Sequence, residues 1–68
     1  MDFMERISRN VEKRRKKIRL SADRLSKKAD ISISTLVKIR RLETKDLKVS
    51  TFLALAKALD CSLDELVG

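Results

Sequence analysis

The sequence predicts an all-α fold, a compact bundle of five short helices forming a single domain over residues 1–68. Three observations carry that expectation. Proline is absent and the only glycine is Gly68, so the usual punctuation of hairpins and bulged sheets is missing. Hydrophobic residues make up 43% of the chain but aromatics only 3%, which leaves Leu, Ile, Val, Ala and two Phe to build the core. One device also recurs: Leu20-Ser21 is followed by Leu25, Ile31-Ser32 by Leu36, and Cys61-Ser62 by Leu66. This is the spacing of a hydrophobic staple across a serine N-cap, where the hydroxyl accepts an orphan backbone N–H and the apolar pair fixes the entry of the chain.

Taken in order, helix one is expected over residues 3–18, with Ile7, Val11 and Ile18 on one face and Arg9, Lys13, Arg14, Lys16 and Lys17 around the rest. Ser21 starts helix two, residues 22–29, which buries Leu25 and Ala29. Helix three, residues 33–41, buries Leu36 and Ile39 and carries Lys38, Arg40 and Arg41 in its last turn, where cations oppose the negative end of the dipole. The polar stretch "LETKDLK" leads to helix four, residues 49–59, whose Phe52, Leu55, Ala56 and Leu59 fall at core spacing. Leu47 and Phe52 keep the staple spacing around Lys48, but lysine is a poor cap, so this start is the weakest of the five. Helix five, residues 63–67, follows Ser62, which with Glu65 makes a capping box.

The formal net charge of +7 is unevenly placed. Residues 1–48 hold 16 basic and 7 acidic side chains, whereas residues 49–68 hold one Lys against three acids. Such asymmetry points to a polyanion facing the first two thirds of the chain, and nucleic acid is the commonest soluble one. A merely solvated surface is the alternative. The run "EKRRKKIR", residues 12–19, fits either reading better than a membrane-surface helix, because interfacial Trp and Tyr are absent. No apolar run reaches about 18 residues and Met1 to Arg19 has no signal-peptide core, so a cytoplasmic protein without membrane contact is expected.

Catalysis is not expected. The chain has no histidine, a single Cys61, no glycine-rich phosphate loop, and only the adjacent Asp64-Glu65 as a carboxylate pair. Nothing points to a metal, a cofactor or a small-molecule ligand, and Cys61 reads as a small buried hydrophobe.

Helices two and three are separated only by Asp30, Ile31 and Ser32, a turn short enough to force their axes to cross steeply, as in a helix-turn-helix. Asp30 stands where glycine is common and is one of the few side chains that visit positive φ. The outward face of helix three is then Ser32, Ile33, Ser34, Val37, Lys38 and Arg41. Short side chains at its start let the backbone approach a ligand surface, and the free N–H groups there attract phosphate.

The segments "LSADRLSKKADISISTLVKI" and "LALAKALDCSLDELV" resemble the lambda-repressor-like helix-turn-helix domains of phage repressors, Cro proteins and XRE-type bacterial regulators, a likeness that spans Ile7 to Val67. The resemblance implies a sequence-specific double-stranded DNA-binding transcriptional regulator, expected to be a repressor, that reads an operator with helix three in the major groove. By position it implies base contacts from Ser32, Ile33, Ser34 and Lys38, and phosphate contacts from Ser21, Arg15, Arg41 and Lys45. It also implies a homodimer interface through Leu63, Leu66 and Val67. The side chains suit those roles: Lys38 can reach guanine O6 and N7, serine can donate or accept, and Ile33 can pack on a thymine methyl.

Four positions depart from the family pattern. Ala22 replaces a common Gln that touches a phosphate and braces the recognition helix. Arg40, Arg41 and Leu42 replace a Glu, a polar residue and a Gly, of which the Glu pairs with the helix-one Arg. Arg15 and Arg40 would therefore confront each other, and Glu12 or Glu43 is expected between them. Without glycine at position 42, helix three is expected to run longer or to end irregularly. The same departures support a second reading, an interaction module such as an antitoxin or adaptor that keeps the fold with weak or non-specific DNA binding.

Overall fold

Serine hydroxyls set three of the five helix starts. The computed structural model describes residues 2–44 and 46–68 and contains α1 (Phe3–Lys17), α2 (Ala22–Lys28), α3 (Ile33–Arg40), α4 (Val49–Ala58) and α5 (Leu63–Val67). Ser21, Ser32 and Ser62 accept from the backbone N–H groups of Arg24, Thr35 and Glu65, each at 3.1 Å, which satisfies one orphan donor per helix. Asp2 does the same for α1 by accepting from Glu5 N at 2.8 Å. The start of α4 has no side-chain cap, in keeping with lysine at position 48. All five starts fall where the sequence pattern puts them, and the first four helices end one residue early, because Ile18, Ala29, Arg41 and Leu59 serve as C-caps.

The chain leaves each of those four helices in one way and without glycine. Arg19, Asp30, Leu42 and Asp60 take left-handed backbone at φ 57°, 56°, 60° and 55°. Each sits between the C-cap and a residue whose N–H reaches back into the last turn: Leu20 to Arg15 O, Ile31 to Ser26 O, Glu43 to Lys38 O and Cys61 to Ala56 O, at 2.9 to 3.0 Å. These are Schellman closures. Helix three therefore does not run on or end irregularly as expected from Leu42; a leucine adopts the conformation usually left to glycine. Leu20, Ile31 and Cys61 close one helix and, being apolar and just before a capping serine, staple the next.

The core is made of Met4, Ile7, Val11, Leu25, Ala29, Leu36, Ile39, Leu55, Ala56, Ala58, Leu59 and Leu66. Ile18 and Phe52, expected inside, pack half-buried against it, and Phe52 meets Phe3 edge to face with ring centroids 6.1 Å apart. Helix α1 packs on α3 and α5, α2 on α3 and α4, and α4 on α5, so α1 spans the bundle. Two of its polar side chains finish other helices. Arg14 donates from Nε to Leu59 O and from Nη2 to Asp60 O, both at 2.9 Å, and Asn10 Nδ2 donates to Leu66 O at 2.7 Å. Carbonyls at the ends of α4 and α5 are thus satisfied from a third helix.

Candidate nucleic-acid interface

Helix α3 is anchored by its inner face. Leu36 and Ile39 are fully buried, while Ser32, Ile33, Ser34 and Lys38 are exposed and Val37 is half-buried. Ile33 leaves 43% of its surface open, a large apolar side chain facing solvent at the start of a polar stripe. The four side chains expected to face bases therefore share the outer side of α3. Ser32, however, is committed locally: its hydroxyl accepts from Thr35 N and lies 2.9 Å from Thr35 Oγ1. Any base contact by Ser32 competes with the cap, whereas Ser34 and Lys38 carry no such bond.

The residues expected at phosphates divide. Ser21 is exposed at the start of α2, and Arg41 is exposed at the C-cap of α3, its guanidinium only 3.8 Å from Glu43 in solvent-screened surroundings. Lys45 lies outside the described residues. Arg15 does not lie open to a ligand. Its side chain is 16% exposed, with Nε and Nη2 donating to the two Glu12 oxygens at 3.1 and 2.9 Å and Nη1 donating to Leu20 O at 2.9 Å. It braces the end of α1 rather than presenting a free cation. These bonds hold the Glu12 carboxyl below its ordinary range and raise Arg15 above its own.

Glu12 is also the carboxylate expected between the two arginines. Its Oε1 lies 3.4 Å from Arg40 Nε, so one acid links α1 to the last turn of α3, while Glu43 pairs with Arg41 instead. In the region expected to form a twofold contact, Leu63 is 37% exposed and Val67 half-buried. Leu66 is 1% exposed and packs in the monomer core, leaving Leu63 and Val67 as the side chains of this region with surface open to solvent. A five-residue helix offers too few turns for spacing alone to separate a core side from a partner side. Arg14 and Asn10 give no local sign of their capping roles, because the carbonyls they reach are 45 to 56 residues away.

A buried-backed helix that presents a polar and basic face after a three-residue turn defines a helix-turn-helix DNA-binding domain. Residues 11–66 match the helix-turn-helix family, and the chain belongs to it, in the lambda-repressor-like, Cro-type group. Comparison with curated proteins and with solved structures found no match. No helix is long and apolar enough to cross a membrane, and the described residues hold no group of three His, Cys, Asp or Glu side chains that could bind a metal ion.

Proposed function

We propose that the protein is a sequence-specific transcriptional regulator, acting as a repressor without catalysis, that binds an operator as a homodimer with α3 in the major groove. The observation that carries this reading is the outer face of α3, where Ser34 and Lys38 stand exposed and unbonded over a fully buried Leu36 and Ile39. A rigidly backed helix can hold such side chains in register with base edges, and the cations around it supply salt-sensitive affinity for the backbone. Affinity selection from a pool of random duplex DNA at about 0.15 M salt tests it, since that salt screens weak surface attraction. Enrichment of a twofold-symmetric motif with half-sites about one helical turn apart is the expected result. Retention of DNA with no enriched sequence would sink the sequence-reading claim.

A second reading, an antitoxin or adaptor, draws support from the exposed apolar side chains Val49 (72%), Phe3 (51%) and Leu53 (48%), none of which belongs to α3. Stable copurification with an unrelated small protein, together with no retention of duplex DNA, would favour it.

A further inference from the structure

We propose that the cleft between α1 and the end of α3, lined by Glu12, Val37, Arg40 and Arg41, is a binding site for one backbone phosphate of duplex DNA, held by Arg40 together with Arg41. The site deepens the DNA-binding reading above and rests on it. The cleft has a volume of about 390 Å³, ample for a phosphate group.

Arg40 differs from its neighbour across Glu12. Arg15 satisfies both carboxylate oxygens with charge-assisted bonds of 3.1 and 2.9 Å and spends a third donor on Leu20 O. Arg40 approaches the same carboxylate only through Nε at 3.4 Å, is 40% exposed, and donates no hydrogen bond to any described residue. A guanidinium has five donors in a planar fork that matches two phosphate oxygens. Arg40 therefore keeps that fork open toward solvent while the ion pair limits where it can point. Arg41, 71% exposed and only loosely paired with Glu43, brings a second fork to the same cleft.

Electrostatics favour an anion here despite the acid in the wall. Arg40 and Arg41 line the cleft against one carboxylate, Glu12, which already accepts two hydrogen bonds from Arg15, while Glu43 stands 3.8 Å from Arg41 and is not part of the lining. Glu12 is thus a positioning residue: it fixes Arg40 beforehand and lowers the ordering cost of binding. If the Glu12–Arg40 pair served only to tie α1 to α3, Arg40 would act on a charged backbone only through its long-range charge, with no dependence on any single phosphate position.

The test uses the full 68-residue chain and duplex DNA, measuring affinity against salt for wild type, Arg40→Ala and Arg40→Lys. Arg40→Ala is expected to lower the slope of log K against log salt by about 1 on every sequence, so that the affinity lost between about 50 and 200 mM salt shrinks by about fourfold. Duplexes with a single uncharged methylphosphonate, placed in turn along each strand, locate the contact. One position should weaken wild type clearly more than Arg40→Ala, in which Arg41 alone remains at the cleft. An unchanged slope with helical content intact, or identical methylphosphonate profiles for the two proteins, would overturn the site. Should Arg40→Ala unfold, Arg40→Lys keeps the pair with Glu12 but loses the fork; a position-specific loss supports the site and an unaltered profile overturns it. Random-pool selection separates the two claims. Duplex retained without sequence preference, but with the Arg40 slope change, keeps the phosphate site and overturns sequence reading. No retention of duplex at any salt overturns both.

Discussion

Asp30 occupies left-handed backbone at φ 56° in the turn between α2 and α3, a conformation that costs an L-residue roughly 1–2 kcal/mol. Its carboxylate also sits at the negative end of α2. Replacing Asp30 by Gly relieves both effects, at the cost of extra freedom in the unfolded chain. A net gain of about 1 kcal/mol is expected, which in a domain of this size raises Tm by about 4–8 °C. Leu42→Gly is expected to gain stability by the same route, because Leu42 holds φ 60° with 47% of its surface exposed and gives up little packing. Thermal unfolding of the two variants decides the matter; a loss of stability in Asp30→Gly would refute the argument. The end of α3 is misread from sequence because the missing glycine is visible, whereas the backbone closure from Glu43 N–H to Lys38 O is not. On the outer face of α3, Lys38→Ala should weaken binding unevenly across DNA sequences and Arg41→Ala nearly uniformly. Parallel losses for both on every sequence would remove the distinction between base and backbone contacts.

The repeated link of a left-handed residue, an apolar residue and a serine joins α1 to α2, α2 to α3 and α4 to α5. Helix starts are legible in the sequence because cap and staple act within six residues. The outer face of α3 is legible for the same reason, since burial of Leu36 and Ile39 fixes its rotation. Contacts across the bundle are not legible: Arg14 reads as part of a basic surface, and nothing near Asn10 marks the Leu66 carbonyl it reaches. Ser32 and Ser34, two residues apart, separate the element's stability from its function. Ser32→Ala removes the α3 cap and should cost about 1 kcal/mol in chemical denaturation, with DNA affinity falling in parallel. Ser34→Ala should leave stability within about 0.5 kcal/mol and alter affinity only for some sequences. Reversed outcomes would mean that the exposed hydroxyl, not the capping one, supports the helix. The link from α1 to α3 through Glu12 predicts a pH dependence. Hydrogen bonds from Arg15 hold the Glu12 carboxyl below its ordinary value of 4.5, so the ionised form stabilises the fold fully above that pH. The contribution is lost as pH falls through the lower folded value. Acid titration of Tm should show this decline, and Glu12→Gln should flatten it while lowering stability near neutral pH.

At the scale of the molecule, charge is unevenly distributed along the chain. The basic excess lies in residues 1–48, whereas α5 begins with Asp64 and Glu65 beside the exposed Leu63. An acidic helix end is poorly suited to DNA and well suited to lie away from it, where a second copy can meet the first without mutual repulsion of the basic faces. With Leu66 closed into the core, a twofold contact in this region has Leu63 and Val67 as its apolar anchors. Leu63→Glu tests that arrangement without threatening the fold, because the side chain is already more than a third exposed. Binding to an isolated half-site should be unchanged, since α3 is untouched. Binding to a duplex with two half-sites one helical turn apart should weaken by about a hundredfold, the loss expected when two linked contacts become independent. Gel-shift titrations on the half-site and the full site give both numbers. Equal affinities of wild type and Leu63→Glu for the full site would place the twofold contact elsewhere, with the exposed Phe3, Val49 and Leu53 as the next apolar side chains to test.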